Sequence, residues 1–221
     1  MSQLLLDITP DWWPTLDNFV VGCNQELLAG LRQALQSKSG ERMFYVWGEH
    51  GCGKSHLLQA IIGAAQAVEQ RAVYAKRSVP DMCSVVAVDD VEKLSDYAQI
   101  DLFNLYNQVR EGGGMLLVSG KEAPQNLAVR KDLRTRLGWG LVYQLHSLSD
   151  AEKALALQQH AKTKGYKLSN EVVQYLLRHG RRDLPSLMVV LDELDAHSLS
   201  LHRPPSVPLL KQIMQTELEL K

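Results

Sequence analysis

Residues 44–58 read FYVWGEHGCGKSHLL, and this stretch decides the fold. A short apolar run (Phe44, Tyr45, Val46, Trp47) feeds Gly48-x-x-x-x-Gly53-Lys54-Ser55, and helix-favouring residues follow at once. Strand, glycine-rich turn and helix in that order form a phosphate-binding loop. Glycines at 48, 51 and 53 let the backbone curl so that several N–H groups point at a polyphosphate. The helix that follows adds its positive N-terminal end. Lys54 is placed to reach the β- and γ-phosphates, and the Ser55 hydroxyl to hold Mg²⁺. A glycine turn that binds nothing would not require all three residue types in this setting. The expected ligand is a nucleotide.

Outward from the loop, the chain reads as alternating strands and helices. Residues 24–35 have a helical spacing of Leu27, Leu28, Leu31 and Leu35, with Asn24 as the expected cap. Apolar runs predict further strands at 72–75, 84–90, 115–118 and 141–145. The run SVVAVDD is apolar throughout until its two carboxylates, which suits a strand buried on both faces of a parallel sheet. Only about eight residues separate it from the strand before, too few for a crossover helix. Helices are expected at 97–111, closed by Gly112-Gly113-Gly114, and at 127–137. From residue 147 the pattern is helical only. Asp150 is the expected cap of a helix to 164, Asn170 of one to 179, and two more follow at 184–198 and 209–220. The expectation is an α/β fold with a five-stranded parallel sheet flanked by helices over 15–147, then a small all-helical domain over 148–221.

Residues 1–14 read as a tail. Six apolar-rich residues, QLLLDI, are cut off from the body by Pro10, Trp12-Trp13 and Pro14. They suit a peptide for another protein's groove, or an edge strand folded back on the domain. The chain has 24 basic against 25 acidic residues, a net charge of -1. A protein that grips long nucleic acid carries a basic excess, so extensive independent DNA binding is disfavoured. Three cysteines without metal or redox spacing suit a reducing compartment. With no long apolar stretch and no basic leader, a cytoplasmic protein with no membrane association is expected.

Four further positions carry chemistry. Asp89 closes a buried strand on the ligand-binding edge of an open α/β sheet, where the first carboxylate beside a phosphate loop holds Mg²⁺. Asp90 could polarise an attacking water. Ser119 closes the neighbouring expected strand, within range of a γ-phosphate, although serine also ends strands for turn reasons. Arg136 stands at a helix end before the Gly138-Trp139-Gly140 turn, where a guanidinium could enter another subunit's site.

Together these motifs resemble the DnaA-related AAA+ ATPases, and within them the Hda-type regulatory inactivators of DnaA. The resemblance is carried by TLDNFVVG (15–22), GEHGCGKSHLLQA (48–60), VVAVDDVEKL (85–94), LLVSGKEAP (116–124), LRTRLGWGL (133–141) and SVPLLKQIM (206–214). It implies an AAA+ P-loop fold with a helical lid. ADP or ATP with Mg²⁺ would be held by Gly48, Gly51, Gly53, Lys54, Ser55 and His56, with Ser55 and Asp89 on the metal. Asp90 would complete Walker B, Ser119 would be sensor 1, and Arg136 the trans-acting arginine finger. Gln3, Leu4, Leu6 and Ile8 match a peptide that docks on the β sliding clamp of DNA polymerase III, with Asp7 unusual before the last apolar position. Leu16 stands where relatives commonly have Phe. The implied partners are DnaA and the clamp, with DNA reached through the clamp, and a homo-oligomer is compatible with the fold.

Two departures favour an inactivator over an initiator. Residues 76–83 leave no room for the single-stranded-DNA helices of DnaA, and no duplex-binding domain follows residue 221. A third concerns hydrolysis. The resemblance puts the lid's γ-phosphate-sensing arginine at Pro185, with Arg181 and Arg182 about one turn upstream. Only weak hydrolysis by the chain alone is then expected. The alternatives are a DNA-acting ATPase, such as a short initiator or helicase loader, and a small-metabolite kinase, for which no substrate-side pattern is found.

Overall fold

Strands β1 (Met43–Trp47), β2 (Ala72–Lys76), β3 (Val85–Asp89), β4 (Met115–Gly120) and β5 (Leu141–Gln144) form one parallel sheet in the order β2-β3-β4-β1-β5. The computed structural model describes residues 14–219 except 38, 182 and 202, with side chains as far as 215. Every residue of β3 and β4 is buried, as expected of central strands covered on both faces. Strand alternation sends Phe44 and Val46 to one face and Met43 and Tyr45 to the other.

On the first face lie α1 (Gln25–Gln36) and α2 (Lys54–Ala67), which bury Leu27, Leu28, Leu31, Leu57, Leu58 and Ile61. On the second lie α3 (Asp96–Gly112) and α4 (Lys131–Leu137), with Leu102, Tyr106, Val109, Leu133 and Leu137 inward. The link from β2 to β3 contains no helix, in keeping with the sequence. Its eight residues return along the sheet, with Val79 and Cys83 packed on the second core.

The expected helix over 127–137 is shorter. A 3₁₀ turn at Pro124–Asn126 is followed by non-helical backbone, and α4 begins only at Lys131. The reason lies far away in sequence: the Gln99 side-chain carbonyl accepts from the Arg130 N–H at 2.8 Å and holds that backbone extended. Caps also moved. Asn24 sits before α1 but makes no cap bond. Its amide donates to the carbonyls of Val21 and His146 and accepts from the His146 N–H, tying the first helix to the end of the sheet.

The last four helices are α5 (Asp150–Thr163), α6 (Asn170–His179), α7 (Leu184–Leu201) and α8 (Val207–Glu219). They enclose a core of their own around Leu157, Leu176, Leu191, Leu194 and Leu210. Ser149 and Ser169 cap α5 and α6, not Asp150 and Asn170. A cap residue must keep extended backbone while its side chain turns back to the N–H two or three positions on. Ser149 does so with Glu152 returning the bond, a complete capping box. Among the described residues no helix is long and apolar enough to cross a membrane.

Candidate functional site

The loop between β1 and α2 has the curled backbone that its glycines promise. Gly53 has φ +105° and Gly51 φ +79°, both left-handed. Gly48 is needed for a different reason, since a Cβ there would lie 2.4 Å from the Leu145 carbonyl oxygen. The Lys54 ammonium, buried at the start of α2, donates to the carbonyls of Gly48 at 2.7 Å and Glu49 at 2.8 Å. It therefore spans its own loop. Burial pushes the Cys52 thiol up, against the pull of Lys54.

Asp89, at the end of β3, is wholly buried and is the hub of the site. Its Oδ2 accepts from the hydroxyls of Ser55 at 2.6 Å and Tyr74 at 2.7 Å. Its Oδ1 accepts from the Ser119 hydroxyl and from the Asp90 N–H at 3.1 Å. Burial works to raise the carboxyl pKa, but the hydrogen bonds of Ser119, Ser55 and Tyr74, with Lys76 nearby, hold it below the ordinary carboxylate value. The same contacts work the other way on Tyr74, whose hydroxyl is pushed up to about 12 by burial and by Asp89.

Asp90 turns away through a left-handed backbone (φ +55°), and its Oδ2 lies 2.8 Å from the Lys93 ammonium and 3.3 Å from that of Lys76. Ser119, expected near the γ-phosphate, donates to Asp89 and accepts from the Asp90 N–H at 3.1 Å.

Beside the loop a cleft of about 510 Å³ opens between the sheet and the lid. Its walls include Asn18, Phe19 and Val20 from the segment before α1, His56 and Gln59 from α2, and Pro185, Met188 and Val189 from α7. His56 packs beside the Phe19 ring, with centroids 5.7 Å apart, and its Nε2 is buried without a hydrogen-bond partner. Burial pushes this imidazole down, against a hydrogen bond that the ring donates to the Thr15 backbone carbonyl. Pro185 stands in the first turn of α7, where proline costs no hydrogen bond. Arg181 is felt at Asp183 but is not among the residues that line the cleft, and Arg182 lies outside the described residues. Asp183 approaches the phosphate loop, its Cβ 3.3 Å from where a Gly51 Cβ would be.

Arg136 lies elsewhere. It belongs to the last turn of α4, and its guanidinium sits over the Trp139 ring at 4.2 Å and the Phe103 ring at 5.3 Å. These residues edge a second, open depression of about 730 Å³ with Arg130, Lys131, Asp132 and Thr135. Trp139 is 55% exposed, so this aromatic shelf faces outward. Residues 3, 4, 6 and 8, expected to dock on a clamp, lie outside the described residues.

Sequence reasoning missed Tyr74 and Lys76. The signal was present in the strand pairing: β2 runs parallel to β3 with Lys76 opposite Asp89, but no local motif announces it. As for a metal, no group of three or more His, Cys, Asp or Glu side chains suited to one exists among the described residues. Ser55 Oγ and Asp89 Oδ2 do converge, which fits a cation held mainly by a ligand's phosphate oxygens with one or two protein groups.

Comparison with known proteins now bears on this geometry. A family model described as the Hda lid domain matches residues 150–214, and one described as the bacterial DnaA ATPase domain matches residues 12–78. The chain belongs to the Hda-like, DnaA-related AAA+ proteins. A Haemophilus influenzae relative, itself described only as uncharacterized, is 34% identical over 215 residues, or 90% of this chain and 93% of that one. Domain III of the Thermotoga maritima replication initiation protein DnaA matches the fold with TM-score 0.74 at 19% identity, covering 91% of this chain and 95% of that one. AMPPCP-bound DnaA from Aquifex aeolicus gives TM-score 0.71 at 22% identity over 82% of this Hda-like chain. The chain spans 65% of that longer DnaA, and the likeness there is one of fold.

Proposed function

We propose that this chain is a regulatory AAA+ protein that lends an arginine to ATP held by DnaA. In this reading it keeps an adenine nucleotide in its own cleft and docks on the DNA-loaded sliding clamp through Gln3, Leu4, Leu6 and Ile8. Arg136 then enters the DnaA pocket, DnaA-ATP is hydrolysed to its ADP form, and a second initiation is prevented. The observation that carries the reading is the place of Arg136: on an outward aromatic shelf, not among the residues lining the chain's own cleft.

The cleft supports a binding role over an efficient hydrolytic one. The base candidate Asp90 is engaged by two lysines, and the lid presents Pro185 where the resemblance expects an arginine. Lys54 and the loop N–H groups would take the phosphates, while Phe19, Met188 and Val189 offer apolar surface for a base. Ser55 and Asp89 would hold Mg²⁺, which when bound offsets phosphate charge.

The test is hydrolysis of DnaA-bound ATP in the presence of clamp loaded on DNA. The intact chain should accelerate it, and Arg136→Ala should abolish most of the gain. A chain lacking residues 1–9 should neither stimulate nor be recovered with the clamp. Undiminished stimulation by Arg136→Ala would defeat the finger assignment. Strong DNA-stimulated hydrolysis by the chain alone would favour a DNA-acting ATPase instead.

A further inference from the structure

We infer that Lys76 is a resident counter-cation for Asp89 and Asp90, and that it makes polyphosphate binding in the cleft largely independent of a divalent metal. The inference rests on the nucleotide reading and adds a specificity-determining residue to it. Strand pairing sets Lys76 directly opposite Asp89, so both side chains leave the sheet on the same face. The Lys76 ammonium lies 3.5 Å from Asp89 Oδ2 and 3.3 Å from Asp90 Oδ2, bridging both acids.

A pair of carboxylates beside a phosphate loop ordinarily repels a polyphosphate until a divalent cation sits between them. Here the two acids meet two ammonium groups, Lys76 and Lys93, so the repulsion is offset before any ligand arrives. The coordination of Asp89 points the same way. Ser55, Tyr74 and Lys76 crowd Oδ2, and Ser119 and the Asp90 N–H take Oδ1. An incoming metal has to displace one of them, whereas a phosphate meets a carboxylate already neutralised. Lys76 is 44% exposed on a long flexible stem, so replacing it leaves the packed core intact.

The experiment is titration of the full chain with a fluorescent ADP, in Mg²⁺ and in excess EDTA, for wild type, Lys76→Met and Lys76→Arg. Wild type and Lys76→Arg should bind with dissociation constants within about threefold in the two buffers, while Lys76→Met weakens about tenfold or more in EDTA alone. Thermal melts of each variant confirm folding, which an exposed side chain does not control. If wild type itself needs Mg²⁺, or if Lys76→Met is as indifferent to EDTA as wild type, the role of Lys76 is overturned and the nucleotide reading stands. If wild type retains no ADP in either buffer, both fall together.

Discussion

The two candidate sites of this molecule handle charge in opposite ways. At the sheet end, Asp89 is wholly buried and takes hydrogen bonds from Ser55, Tyr74 and Ser119, while Lys54 is closed on its own loop. At the end of α4, Arg136 rests on the faces of Trp139 and Phe103, and among the described residues no ion pair holds it. Buried charge needs matched partners, because burial without them is costly. A partly exposed cation over an aromatic ring is held by only ~0.5–1 kcal/mol, which orients it and still lets it leave. The first arrangement suits a site that retains a ligand; the second suits a cation to be given up to another protein's phosphates.

This contrast can be broken by exchanging the lesions. Arg136→Ala is expected to produce the largest effect, a loss of ~10³-fold or more in stimulated DnaA-ATP hydrolysis, with ADP affinity of the chain's own cleft unchanged. A parallel loss of ADP binding, measured by fluorescence titration, would mean that the two faces are one site. Lys54→Ala should do the reverse and weaken ADP binding by about 100-fold, since two charge-assisted contacts are lost together.

Trp139→Ala sharpens the comparison. It removes the shelf and leaves the cation, so stimulated hydrolysis should fall by only about 2- to 5-fold, the scale of one cation–π contact. Trp139→Phe should recover most of it. An effect as large as that of Arg136→Ala would assign Trp139 a direct contact with the partner.

The smallest effect is set by His56, whose folded-state pKa is lowered by burial. As pH falls through the unfolded-chain value of ~6.5, the unfolded chain takes up the proton first, so stability declines from there toward the folded-state pKa. Above that window the group contributes no pH dependence. Melting temperatures of the nucleotide-free chain between pH 7.5 and 5.5 should fall more for wild type than for His56→Gln. Equal slopes would show that the imidazole keeps its proton freely in the cleft.

Much of this was legible from local pattern. The phosphate loop, the apolar runs of β3 and β4 and the leucine spacing of α1 and α7 are short-range signals, and each produced the expected element. Short-range signals failed where a distant residue intervened. Gln99 holds the backbone before α4, and the Asn24 side chain is committed to His146 across 122 positions. The caps of α5 and α6 were missed by one residue because Ser-Asp and Ser-Asn both offer capping side chains, and only the backbone angles decide which one turns.

By itself the sequence determined that this chain carries a nucleotide-type loop on a parallel sheet with a helical lid, since periodicity and turn chemistry act over a few residues. Tertiary structure alone decided that Lys76 and Tyr74 meet Asp89, that Ser119 braces that carboxylate, and that Arg136 lies on an outward shelf away from the cleft. Those outcomes depend on strand order and register, and the partners they bring together lie 13 to 34 positions apart in the case of Asp89. Charge recognises distance in space, and only the packed sheet sets that distance.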